Sequence, residues 1–330
     1  MSAPRLKTSA MIASIAAEGQ RTISAPFGHA LAKAAETRLE IVGMTADLGK
    51  YTDLHIFQQA HPDRFYQMGM AEQLLMMSAA GMAREGFHPF VTTYAVFAAR
   101  RAYDFLCLAI AEEDLNVKVV CALPGLTTGY GPSHQATEDL AIFRGMPNLT
   151  IIDPCDAVEI EQATAALADH CGPAYMRLLR GKVPAVLDEY GYKFEMGKAK
   201  TIRDGADVLI ISSGLMTMRA LETADALKAD NIEAGVLHVP TIKPLDEATI
   251  IEAVKARPGR LVVVAENHSV IGGLGEGVAA ALLRAGVFAP FKQVALPDAF
   301  LDAGALPTLH DRYGISTKAM TTSIKGRLSE

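Results

Sequence analysis

Residues 65–99, FYQMGMAEQLLMMSAAGMAREGFHPFVTTYAVFAA, are the stretch whose reading decides the fold. Residues 65–70 read as a short strand that runs into a glycine turn at Gly69. Residues 71–84, rich in Ala, Leu and Met, predict a helix with Glu72 in its first turn. Residues 87–93 predict a second buried strand, which delivers Tyr94 and Phe97 three residues apart. A carboxylate at the mouth of an apolar helix, with aromatics arriving from the next strand end, suits a flat, protonatable heteroaromatic ring. Such a ring stacks on the aromatic face, and the carboxylate shares a proton with a ring nitrogen. Two plainer readings stay open at this point. Acidic side chains favour helix N-termini because the helix dipole stabilises them there. Aromatics at i, i+3 are commonly core residues.

A chain of 330 residues predicts two domains, and 50% hydrophobic residues suffice for substantial cores. With 31 basic and 37 acidic residues the net charge is −6, and the basic residues are scattered. That argues against a nucleic-acid or membrane-surface protein. Four cysteines, Cys107, Cys121, Cys155 and Cys171, form no CxxC pair and match no zinc spacing. They are expected as buried free thiols in a reducing cytoplasm. No apolar run approaches the ~18 residues that span a bilayer. The N-terminal MSAPRLKTSAMIASIAAEG lacks a continuous apolar core and a cleavage site, so it is expected to be a loose arm or an amphipathic helix.

Outward from the central stretch, residues 26–38 predict a helix with Ser24 as its cap. Residues 39–45 predict a buried strand emptying into Ala46-Asp47-Leu48-Gly49. In open α/β folds ligands sit outside the carboxyl ends of parallel strands, which places Asp47 and Leu48 well for one; a turn Asp capping the next segment is the plainer alternative. A helix is expected over 97–111. Residues 117–123 are a nearly uninterrupted apolar strand, as when both sheet faces are covered. It opens into PGLTTGYGPSHQATEDL, whose His134 is a candidate acid/base or substrate-binding group, or a His bonded to its own loop. Further elements are expected at 150–153, 157–169 and 174–178. Arg177 lies in the last of these and Arg180 just past its end, where a guanidinium clamps an anion or makes an interdomain ion pair. Irregular sequence at 181–200 sets a domain boundary at 190/191, giving domains 1–190 and 191–330. The second begins again with strand 208–212, Gly214 and helix 216–229. GGLGEG at 272–277 lacks the GxGxxG spacing and does not support nicotinamide binding. His268 is read as an interface or structural residue.

The run MGMAEQ, then PFVTTYAVF, GYGPSHQATEDLA and MPNLTIIDPCDAVE, resembles the pyrimidine-binding domain of transketolase. GADVLIISSG and VVVAENHSVIGGLGEGVA resemble that family's C-terminal domain. The resemblance covers residues 24–324, with the motifs in order. It implies two α/β domains, each a largely parallel sheet covered by helices. It also implies thiamine diphosphate as cofactor, with Glu72 holding a proton against the aminopyrimidine ring. Burial in an apolar pocket is expected to raise that carboxyl's pKa. Phe97 matches the stacking aromatic, with Tyr94 beside it; Asp47 and Leu48 match the family's ADL at the cofactor; His134 and Tyr130 fall in the sugar-facing loop. The family pattern assigns Arg180 to the substrate's phosphate.

The family's magnesium- and diphosphate-binding signature, GDG with a downstream Asn, is absent. The resemblance therefore implies half an enzyme, whose partner subunit supplies Mg2+ and diphosphate contacts, most simply in an α2β2 assembly. Where full-length transketolases commonly read HAGL…GEDGP, this chain has Leu123 for the histidine and a single Tyr130 for the Glu-Asp pair. Those departures put ordinary ketose-phosphate specificity in question and point to an unusual donor sugar. The expected function is the β-type subunit of a split transketolase, moving a two-carbon ketol unit between sugar phosphates. The β subunit of a 2-oxo acid dehydrogenase component, a deoxyxylulose phosphate synthase and a non-catalytic subunit are the alternatives.

Overall fold

Seven strands build the first sheet of the computed structural model, which describes residues 15–16 and 19–330. The expected N-terminal arm falls largely outside those residues. In spatial order the strands are Thr241–Lys243, Thr150–Ile152, Ala174–Leu178, Lys118–Ala122, His88–Tyr94, Ile41–Thr45 and Phe65–Gln67. All run parallel except Thr241–Lys243, which pairs antiparallel with Thr150–Ile152. Every residue of Ile41–Thr45, Lys118–Ala122 and Ala174–Leu178 is buried, because helices cover both faces. Parallel strands put their carboxyl ends on one edge. Thr45, Tyr94, Ala122 and Leu178 therefore empty their loops on the same side, and that arrangement positions the candidate site.

A second sheet has the order Phe291–Leu296, Leu261–Ser269, Val208–Ser212, Ala234–His238, Lys200–Arg203, with only the last antiparallel. Its central strands alternate between two cores. Leu209, Ile211, Leu237, Val262 and Val264 join the core of the first domain. Val208, Ile210, Val236 and Val263 face a second cluster with Met216, Ala220 and Ala224 of helix Leu215–Lys228. The period of two in strand side chains splits the residues this way. The 190/191 division falls at the end of the 3-10 turn Leu187–Tyr190, yet strand Thr241–Lys243 crosses back to complete the first sheet.

Several local expectations are corrected. The first helix is Pro26–Ala34, shorter than 26–38, and Ser24 does not cap it. Ser24 is instead in strand Thr22–Ser24, paired with Lys182–Pro184. The helix expected over 97–111 is broken into Ala95–Arg101, Tyr103–Leu106 and a π-turn Cys107–Ala111, because Ala102 leaves helical dihedrals at φ −117°, ψ 9°. The edge strands Lys200–Arg203, Phe291–Leu296 and Thr241–Lys243 escape the sequence reading, since the first two are half exposed and lack an apolar signature. All four thiols are free, but only Cys121 and Cys155 are buried; Cys171 is exposed. Among the described residues no helix is long and apolar enough to cross a membrane.

Candidate active site

Glu72 opens helix Glu72–Arg84 and is 3% exposed. Strand His88–Tyr94 hands directly into helix Ala95–Arg101, so Tyr94 and Phe97 lie one turn apart, with ring centroids 5.5 Å apart. His134 arrives from the loop after Lys118–Ala122 and meets three rings edge-on: Tyr94 at 5.9 Å, Phe97 at 5.5 Å and Tyr130 at 5.5 Å. Burial and the nearby Arg101 charge hold the His134 imidazole below its usual pKa, favouring the neutral ring. The pocket around Glu72 is not simply apolar. Arg101 Nη1 donates to Glu72 Oε1 at 3.0 Å, and the same guanidinium lies 3.9 Å over the Phe97 ring. The sequence reading considered burial alone and did not foresee this ion pair.

Arg180 follows strand Ala174–Leu178 and is only 8% exposed. Its guanidinium lies 5.6 Å from the Tyr94 ring centroid and 5.8 Å from that of Tyr51. Burial draws its pKa below the usual arginine value, against the pull of Tyr94 and Asp53. Asp53, fully buried at φ 61°, accepts the Gly181 N–H with both carboxylate oxygens at 3.0 and 3.2 Å. It therefore fixes the backbone next to Arg180. Burial lifts the Asp53 carboxyl to about 6, offset by the Gly181 bond and then Arg180.

Asp47 and Leu48 sit on the turn after Ile41–Thr45, as expected. Asp47 is exposed, at φ 59°, and exchanges bonds with Gln67 at 2.7 and 3.2 Å. Leu48 is half-buried against the first core. Asp47 borders a cavity of about 520 Å³ with Tyr51 and His55. Arg177 makes no open anion site. It is bonded to Asp139, Asp153 and the Asn267 carbonyl, joining the two domains. His268 is buried and structural, accepting the Ala141 N–H at 3.2 Å. Leu123 is buried at φ 61°, a left-handed backbone that leucine rarely adopts.

Together these groups form a buried carboxylate, an aromatic wall, an imidazole and a buried arginine at one end of a parallel sheet. The family model described as the transketolase pyrimidine-binding domain matches residues 20–185, and that of the transketolase C-terminal domain matches 197–320. The chain belongs to the transketolase family. It is 75% identical over 328 residues to a putative uncharacterized transketolase family protein, y4mN, of Sinorhizobium fredii, covering 99% of this chain and 95% of that one. It is 38% identical to the 6-deoxy-6-sulfo-D-fructose transketolase subunit SqwH of a Clostridium species, over 84% of this chain and 85% of that one. Among solved structures, a split gene transketolase in an inactive β4 tetramer superposes with a TM-score of 0.84 at 37% identity, covering 92% and 97% of the two chains. The chain spans about half the length of the full-length relatives it matches.

For a transketolase-family chain, the sequence reading named Glu72, Tyr94, Phe97, Tyr130, His134 and Arg180, and the fold gathers them. It did not name Arg101, Asp53 or Tyr51. Arg101 carried a signal in the Arg100-Arg101 pair one turn past Phe97. Asp53 carried none, because its role depends on a backbone N–H 128 residues away.

Proposed function

We propose that this chain is the β-type, pyrimidine-side subunit of a split transketolase, with a division into two domains near residue 190. It would transfer a two-carbon ketol unit from an anionic ketose to an anionic aldose. The observation that carries the reading is the convergence of Glu72, Phe97 and His134 in a chain matching both transketolase domains. The donor set suits thiamine diphosphate's pyrimidine. A planar cation, the Arg101 guanidinium, already stacks on Phe97 and bonds Glu72, so the site's chemistry accepts a flat, protonatable ring. Arg101 is half exposed, which leaves its side chain room to move aside for that ring.

When bound, thiamine diphosphate supplies a carbon nucleophile that also stores the carbanion. Glu72 would hold a proton at the pyrimidine nitrogen, Phe97 and Tyr94 would supply the stacking wall, and Leu48 and Asp47 would border the cofactor. His134, kept neutral, would exchange a proton with the substrate oxygen, with Tyr130 beside it. Arg180 holds the substrate's far anion. Magnesium and the diphosphate fall to a partner subunit, in an α2β2 assembly working in the cytoplasm. The split-gene relative's description as an inactive β4 tetramer supports a need for that partner. SqwH's sulfo-sugar supports a donor other than the ordinary ketose phosphates. The test is Glu72→Gln in the complex reconstituted with its partner. Turnover is lost while the assembly's mass is unchanged; retained turnover removes Glu72 from the chemistry.

A further inference from the structure

The loop that carries Tyr130 and His134 leaves the first sheet after Ala122, yet the second domain holds it. Leu126 sits in the second domain's core with Val208, Ile210 and Leu309. Its N–H donates to Asn267 Oδ1 at 2.9 Å, and its carbonyl accepts from His310 Nε2 at 2.7 Å. His310 Nδ1 faces an Arg219 N–H at 2.6 Å and accepts it. Burial and the Arg219 charge keep that ring's pKa at about 4, so the relay stays neutral. Further along the loop, Gly304 N–H donates to Gly129 O at 3.0 Å. Gln135 Nε2 donates to Thr128 O at 3.2 Å and to Asp302 O at 3.1 Å. The approach of residues 129 and 304 needs glycine, because a Cβ on Gly129 would collide with the Gly304 carbonyl oxygen.

Between this turn and the end of strand Ala174–Leu178 lies a cavity of about 200 Å³. Thr127, Thr128, Tyr130 and Arg180 line one side, Gly304 and Ala305 the other. Arg180 Nε and Nη1 have no hydrogen-bond partner among the described residues. A buried guanidinium left short of acceptors is costly, and an anion in the cavity that Arg180 lines compensates its charge. The space is too small for a whole sugar, since ligand pockets usually run from about 300 Å³ upward. It matches the tetrahedral anionic end of one.

We propose that the second domain forms one wall of the donor site: the turn at 302–305 closes the receptacle in which Arg180 binds a tetrahedral oxyanion, phosphate or sulfonate. This rests on reading the chain as a ketol-transferring subunit, and it adds a direct role for the second domain in choosing the donor. The small Ala305 side chain sets the room available, so this residue determines specificity without touching the reacting atoms.

The experiment titrates the full chain with inorganic phosphate and, separately, with methanesulfonate, followed by calorimetry and by NMR. The wild type binds saturably, on the order of millimolar, as a few charge-assisted bonds give. Ala305→Phe weakens binding about tenfold at unchanged melting temperature, Ala305→Ser leaves it within twofold, and Arg180→Met removes it. The anion bound more tightly identifies the donor's terminal group. If Arg180→Met removes binding but the folded Ala305→Phe binds like wild type, the second-domain wall is wrong and the Arg180 anion site stands. If neither variant changes binding, or the wild type binds neither anion, both the wall and the assignment of Arg180 to the substrate fall.

Discussion

Arg177→Met is the perturbation whose cost follows most directly from the structure. Arg177 is 1% exposed and serves two buried carboxylates. Nε and Nη2 grip Asp139 at 2.9 and 3.1 Å, Nη1 reaches Asp153 at 3.1 Å, and Nη2 also meets the Asn267 carbonyl at 3.0 Å. Among the described residues, Asp139 and Asp153 keep the Tyr175 and Ser213 hydroxyls, at 2.6 and 2.8 Å, once the arginine is gone. The cluster's formal charge then goes from −1 (two carboxylates, one guanidinium) to −2, with no cation inside. Breaking a buried pair by removing one partner costs about 3–5 kcal/mol. The expected loss is about 4 kcal/mol, a large share of a typical 5–15 kcal/mol stability. Urea unfolding followed by far-UV circular dichroism measures it. Adding Asp153→Asn to the variant removes one uncompensated charge and restores part of the loss. A loss below about 1 kcal/mol would refute the view that this guanidinium neutralises the buried Asp139 and Asp153 carboxylates.

Asp53→Asn tests the buried carboxyl beside Arg180. Its folded pKa of about 6 lies above its ordinary 3.8, so its contribution is full below pH 3.8 and is lost as pH rises through 6. That lift is worth about 3 kcal/mol; the asparagine variant gains up to that much stability at pH 7.5 and nothing at pH 3.5, and equal urea midpoints at pH 7.5 would contradict the assignment. Arg101→Ala uncovers Phe97 and frees Glu72. A half-exposed ion pair and cation–π contact together are worth about 1 kcal/mol, so thiamine should bind the isolated chain roughly fivefold tighter by NMR titration. Weaker binding would mean that Arg101 assists the ring rather than occupying its place. Leu123→His places at φ 61° a residue that accepts that backbone more readily. Stability should stay within about 1 kcal/mol, and a broader donor range in the reconstituted enzyme supports Leu123 as a donor-site residue; an unchanged range counts against it.

The sequence by itself determined the α/β class, the second half of a transketolase and most of the candidate site, because those signals are local. Strand–helix–strand periodicity in 65–99 fixes a parallel unit, and the aromatic spacing from Tyr94 to Phe97 follows from one helical turn. Arg180 was legible because it stands just past an apolar strand, and His134 because it lies on the loop that follows one. Only the tertiary structure decided the rest. Arg101 acts on Glu72 across 29 residues, Asp53 on Gly181 across 128, and His310 on the Leu126 carbonyl across 184. The first two pairs meet through packing inside the first domain and the third where the two domains meet, and no periodicity or spacing encodes a contact between groups so far apart in the chain. The strand Thr241–Lys243 shows the same limit: three residues carry no pattern of their own and become a strand because the edge at Thr150–Ile152 offers unpaired backbone groups.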